Sequence, residues 1–239
     1  MSIRIAMWSG PRNISTAMMR SFSSRNDCAV TDEPFYGAYL KITGERHAMA
    51  DEVIANMDCD WQSVATAMRG SVPDGKPVWY QKHMSHHMEG SISVDDFPDH
   101  VHVFLIRDPD LMVASYRHKN ELVDARQLGF DRLVDYHQRV SHRLRRPAPV
   151  IDGNAILANP AEKLSALCAA IGIEWDPAML SWPKGKHPDD GIWAEHWYNA
   201  VWNSEKFGGP TERSHLTDAE RAIADSCRPS YDALRQYCI

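Results

Sequence analysis

The seven residues His100–Ile106 (HVHVFLI) constrain the fold most. They are apolar, β-branched or aromatic with almost no alternation. A strand of that kind is covered on both faces, which is the habit of a parallel sheet rather than a half-solvated antiparallel one. The rest of the chain agrees. Residues 3–7 read as a first strand, 28–31 as a short second one and 77–81 as a third. A last strand falls at 149–151 or at 155–158. Helical patterns stand between the strands: 14–25, with Asn13 as N-cap; several broken helices over 36–70; 109–119, opened by Pro109; 130–146; 160–171, stopped by Gly172; and 218–237. Alternating strands and helices predict a three-layer α/β/α fold with a central parallel sheet. Ligands of such sheets bind at the carboxyl ends of the strands.

No repeat, linker or low-complexity stretch divides the 239 residues, so one domain over 1–239 is expected. No apolar run approaches the roughly 20 residues of a membrane span. The start, MSIRIAMWSG, has no features of a secretory signal. Five scattered cysteines without a CxxC pair suit a reducing compartment, and a cytoplasmic location is expected. The net charge of −6 argues against a nucleic-acid surface, and neither a nucleic acid nor a membrane is expected as a partner. Two segments run against the total. Residues 1–26 are net +4 with no acid, and residues 107–146 are net +3.

Both positive segments hold a strand–loop–helix junction. The first is WSGPRNIST. Free N–H groups and the dipole at the start of a helix favour an anion there, and Arg12, Ser15 and Thr16 would add donors. A Walker A loop does not fit, because no Gly-Lys pair precedes Ser15-Thr16. The second junction is FLIRDPDLMVASYRHK, with Arg107 at the strand end, Pro109 after it and Ser115 eight residues beyond Arg107. A guanidinium there suits a phosphate. Without a ligand, Arg107 would instead pair with Asp108 or Asp110, and Ser115 would be a helix-surface residue.

The order Pro11, Arg12, Asn13, Ile14, Ser15, Thr16 after Gly10 resembles the 5′-phosphosulfate loop of P-loop sulfotransferases, with Ile14 where the family usually has Gly. Arg107, Pro109 and Ser115 resemble the family's 3′-phosphate motif. Asn159-Pro160, Ile171-Gly172 and Met179-Leu180-Ser181-Trp182 resemble its distal region. Lys206-Phe207-Gly208-Gly209 is a partial match to its nucleotide-covering loop. The resemblance is to bacterial sulfotransferase-like proteins. It implies 3′-phosphoadenosine-5′-phosphosulfate as sulfuryl donor, with Gly10 to Thr16, Arg107 and Ser115 as donor-binding residues, no obligatory metal, and a small-molecule hydroxyl or amine as acceptor.

Such a transfer needs a base. Glu33, His83 and His86 are the candidates, and Lys82 is expected to stabilise the transferring group. His83, His86 and His87 would also suggest zinc, but HxxHH has no Cys or carboxylate in motif register. His137 and His142 read as surface groups. Five tryptophans crowd 175–202, with Trp193 and Trp197 at helical spacing, fit for core packing or for the wall of an acceptor pocket. An ATP-dependent kinase and a non-catalytic nucleotide-binding relative are the rival readings.

Overall fold

The computed structural model describes residues 2–117, 122 and 124–239. Strands β1 (Ile3–Ser9), β2 (Cys28–Asp32), β3 (Val78–Met84), β4 (Val101–Ile106) and β5 (Val150–Asp152) form one parallel sheet in the order β2-β3-β1-β4-β5. Helices α1 (Ser15–Ser23), α2 (Tyr36–Thr43), α3 (Ala50–Asn56) and α4 (Trp61–Arg69) precede β3. Helices α5 (Pro109–Tyr116) and α6 (Phe130–Leu144) lie between β4 and β5. After β5 come α7 (Gly153–Ala158), α8 (Pro160–Ile171), the single turns α9 (Ala194–Trp197) and α10 (Asn199–Trp202), and α11 (Asp218–Arg235).

The pleat of β1 divides the core into two layers. Ala6 and Trp8 join Met112 and Val113 of α5, Leu133 and Tyr136 of α6, and Leu234 of α11. Ile5 and Met7 join Met18 and Phe22 of α1 and Leu164 and Leu167 of α8. All of these side chains are buried. Burial of both faces is what the unbroken apolar strands required. The fold is α/β with helices on both sides of the sheet, as the sequence predicts.

Three local expectations change. The last strand is Val150–Asp152, and 155–158 belongs to α7. Helix α5 ends at Tyr116; residues 118 and 119 of the expected 109–119 helix lie outside the described residues. His137 is not a surface group. It is 4% exposed, stacks on Tyr237, and its Nε2 lies 3.2 Å from the carbonyl of Ala148. The basic look of 130–146 comes from the opposite face of α6. His142 is exposed.

The chain leaves β1 towards β2 and leaves β4 towards β5, so the sheet's topological switch lies between β1 and β4. A crevice opens at their carboxyl ends. Gly10 lies where β1 enters it. A Cβ on Gly10 would stand 2.2 Å from the carbonyl oxygen of Leu128 and 2.9 Å from Cε of Met112. The first neighbour is backbone and cannot swing away. Gly10→Ala is therefore expected to cost about 1–3 kcal/mol of stability through overpacking. Urea unfolding measures this; an unchanged midpoint would show that the 125–128 turn yields freely.

Candidate active site

The first loop is held in a conformation that its side chains resist. Arg12 has φ 59° and Ile14 φ 47°, both left-handed. For β-branched Ile14 that is a true outlier, and such strain collects at functional sites. Two hydrogen bonds hold the loop. Asn13 donates from Nδ2 to the Leu105 carbonyl on β4 at 2.6 Å, and Arg107 donates from Nη1 to the Arg12 carbonyl at 2.6 Å. Asn13 is thus committed to the sheet. The N-cap of α1 is Ile14, which has no side chain able to cap. The first amides of a helix lack internal partners, so this end of α1 offers donors and a positive dipole to the cavity lined by Ser15, Thr16 and Ala17.

The second loop brings Arg107 to the same place. The neighbouring acids do not neutralise it. Asp108 takes Arg213 and Arg228, and Asp110 takes Arg221 and Arg228, all from the C-terminal segment. Arg107 also donates from Nη2 to Thr211 Oγ1 at 2.8 Å, and its Nε is buried without a partner. Arg12 donates from Nε to Ser115 Oγ at 3.0 Å. Among the described residues no carboxylate pairs with either guanidinium. Burial depresses the pKa of both, and the Arg12 charge depresses that of Arg107 further. Two adjacent, partly desolvated cations that no carboxylate pairs with among the described residues form a site for an anion.

A third cluster forms at the ends of β2 and β3. Lys82 is 1% exposed. Its ammonium donates to Asp32 Oδ1 at 2.9 Å, Glu33 Oε1 at 2.5 Å and the Tyr198 hydroxyl at 2.6 Å. An ammonium has three protons, so all three are used. Tyr198 in turn donates to Asp32 Oδ2 at 2.7 Å and accepts from Trp193 Nε1 at 3.1 Å. Burial holds the Tyr198 phenol well above its ordinary pKa, so it stays a donor. Burial opposes the Lys82 charge, but Asp32 and Glu33 outweigh it and the pKa rises. Glu33, at φ 41°, is raised by burial despite Lys82. Its Oε2 faces His87 Nδ1 at 3.9 Å.

One cavity of about 240 Å³ joins these groups. Pro11 to Ala17, Arg107 and Ser115 line one end; Glu33, Lys82, His86 and His87 line the other, with Tyr36, His47, Trp193, Trp197 and Tyr198. Gly10 stands behind the loop rather than in the wall. His86 reaches the wall, but burial drives its pKa down to about 3, and its buried Nδ1 has no partner. His83 is not brought to the cavity. It is buried on the other face of β3, stacked on Trp8 at 4.5 Å, with Nε2 3.2 Å from Gln81 Oε1. His83 stands on β3, while His86 and His87 lie in the turn Ser85–His87 that follows the strand, and the three rings do not converge. Among the described residues no group of three or more His, Cys, Asp or Glu is placed to hold a metal.

Trp193 is both core and wall, packed edge-on against Tyr36 at 5.2 Å. Phe207 packs on Trp182, while a Cβ on Gly208 or Gly209 would meet nothing within 4 Å. The chain then approaches Arg107 two residues later, through Thr211. Sequence reasoning missed Asp32, Tyr36, His47 and Tyr198. The Asp-Glu-Pro turn marks Asp32, and Tyr198 stands inside the tryptophan-rich segment; no spacing ties the two together.

A family profile described as "Sulfotransferase domain" matches residues 3–237. The chain belongs to the sulfotransferase-domain family. Two solved structures share its fold: the sulfotransferase domain from the curacin biosynthetic pathway (TM-score 0.57, 13% identity, 95% of this chain and 98% of that one) and a sulfotransferase from Alicyclobacillus acidocaldarius (TM-score 0.54, 12% identity, 100% and 98%). Curated relatives are the branched-chain-amino-acid aminotransferase-like proteins 2 and 1 of Arabidopsis thaliana, 31% identical over 97% of this chain and 32% over 98%. The chain spans only 41% and 42% of their lengths. Among the described residues of this sulfotransferase domain, no helix is long and apolar enough to cross a membrane.

Two predictions concern the buried charges of the sulfotransferase domain. Burial lowers the pKa of His83, His86, His87, His100 and His102. The unfolded chain takes protons near pH ~6.5 where these rings refuse them, so stability falls as pH drops below that value. The limiting slope is about 1.4 kcal/mol per pH unit for each ring. His47 and His137, also lowered by burial, act in the same direction, while Glu33 and Asp189, raised by burial, act in the opposite one. Urea midpoints between about pH 7 and pH 5 read the slope; a flat profile would refute the burial of these rings.

Lys82→Met leaves Asp32 and Glu33 buried without their cation. At neutral pH it is expected to cost about 3–5 kcal/mol. The raised pKa of Glu33 means that the folded state gains stability by taking its proton. The deficit relative to the unmutated protein therefore narrows as pH falls towards about 4. A deficit independent of pH would contradict the pairing.

Proposed function

We propose that this protein transfers a sulfuryl group from 3′-phosphoadenosine-5′-phosphosulfate to a hydroxyl or amine of a small acceptor. Family membership supports a sulfotransferase. The observation that carries the donor assignment is the pair Arg12, half-buried, and Arg107, buried, neither of them paired with a carboxylate among the described residues, at the start of α1 and at the sheet's switch point. A donor with phosphates at both ends supplies the negative charge this pair lacks, and it supplies a sulfuryl group on a good leaving oxygen.

Arg12, the loop amides, Ser15 and Thr16 hold the 5′-phosphosulfate; Arg107 and Ser115 hold the 3′-phosphate. The existing Arg12–Ser115 bond links the two subsites. The loop and α1 stabilise charge on the bridging and equatorial oxygens in the transition state. Glu33 is the base. As the acceptor oxygen or nitrogen bonds to sulfur and the sulfur–phosphate oxygen bond breaks, the acceptor proton passes to Glu33 Oε2. The bisphosphate nucleotide leaves. A carboxylate raised by burial is closer to the working pH than an ordinary one. His86, depressed to about 3, is a weaker base than Glu33. Lys82, with its three protons engaged, fixes Glu33 Oε1 rather than the sulfuryl group.

Calorimetric titration with 3′,5′-adenosine bisphosphate and with 5′-AMP tests the donor site. The bisphosphate is expected to bind at least about tenfold more tightly, since one charge-assisted phosphate contact contributes about 1.5–3 kcal/mol. Arg107→Ala should erase that preference while 5′-AMP binding persists. Equal affinity for the two nucleotides, or none for either, would overturn the assignment.

A further inference from the structure

The two ends of the cavity differ in charge, and the difference bears on the acceptor. At the donor end stand Arg12 and Arg107. At the other end Lys82 is the cation in the wall, and its three protons are taken by Asp32, Glu33 and Tyr198. The imidazoles there are held neutral by burial: His86 is pushed down to about 3, His87 lies well below its ordinary pKa, and His47 is lowered. Among the described residues that line this end, no free cationic donor is left for an anionic acceptor.

The same end holds negative charge. Asp32 and Glu33 face one ammonium, so ionised Glu33 leaves a net formal charge of −1. The surrounding wall is aromatic. Tyr36 and Trp193 meet edge to face, and Trp197 stands beside them with His47 6.3 Å away. Ring faces are negative and attract ammonium groups. The fold already uses this attraction, with Lys82 Nζ 4.9 Å from the centroid of the Tyr198 ring.

From this juxtaposition of an uncompensated carboxylate and an aromatic wall, we infer that the acceptor is a small alcohol bearing an ammonium group. The ammonium rests among Tyr36, Trp193 and Trp197, and the hydroxyl faces Glu33. A carboxylate or sulfonate on the acceptor meets repulsion and no partner. A neutral alcohol of the same shape keeps the apolar contact and loses the electrostatic part. This inference rests on the transfer reading above, and it names the acceptor for that same site.

The test uses choline, its uncharged isostere 3,3-dimethylbutan-1-ol and the anion 3-hydroxybutanoate. Each is titrated calorimetrically into the protein, alone and with 3′,5′-adenosine bisphosphate present. Choline is expected to bind at least about tenfold more tightly than the isostere, the scale of a desolvated cation–π contact. The anion is expected not to bind. Trp197→Leu, at a half-buried position, should weaken choline at least about fivefold and leave bisphosphate affinity unchanged. Equal or tighter binding of the isostere or the anion overturns the inference, as does failure of choline to bind. The arm without nucleotide separates the two readings: if the bisphosphate fails to bind while choline is still preferred, the donor assignment falls and the ammonium site stands.

Discussion

Two like charges placed side by side and partly out of water are unfavourable, and the architecture around Arg12 and Arg107 is organised to sustain them. The Arg107 guanidinium donates to the main-chain carbonyl of Arg12 and to Thr211, and Arg12 donates to Ser115. Those bonds fix position without cancelling charge. The acids that would cancel it, Asp108 and Asp110, are held by Arg213, Arg221 and Arg228. Helix α11 thereby does more than close the fold. It supplies two of those three cations, and so leaves the Arg107 charge for a ligand.

The other end of the cavity is built the opposite way. There a full hydrogen-bond network replaces open charge. Lys82 spends every proton, Tyr198 donates and accepts, and Trp193 completes the phenol's shell. A buried polar network of this kind is rigid when complete and costly when one member is missing. It ties the distant 193–202 segment to β2 and β3, so the wall of the cavity and the Glu33 carboxyl within it are set by the same bonds.

The sheet and most helices were legible in the sequence because each depends on local pattern: unbroken apolar strands, Gly172 after α8, Pro109 at the start of α5. The two strand–loop–helix junctions were legible because their residues are close in sequence. The cluster around Lys82 was not, because Tyr198 Oη reaches Asp32 Oδ2 across 166 positions of chain. His83 was misread for a related reason. It looks like its neighbours in KHMSHH, and only the pleat of β3 sends it to Trp8 and the core. Asn13 looked like an N-cap because its side chain suits one; the carbonyl of Leu105 won it.

Backbone strain adds a further constraint. Among the described non-glycine residues with positive φ, Arg12, Ile14 and Glu33 all line the one cavity. A left-handed residue of this type costs of order 1–2 kcal/mol, so the sheet and its two cores carry several kcal/mol on behalf of the site. Glycine at 14 would remove the strain there, and it is the residue usual in the family at that place. Isoleucine gives something in return. Its Cγ1 packs where Gly153 opens α7, only 3.2 Å from where a Cβ on that glycine would lie. The side chain thus pins the loop from outside while the Asn13–Leu105 bond pins it from within. A loop fixed on both sides presents its amides without having to order them when an anion arrives, which is the energetic advantage of preorganisation.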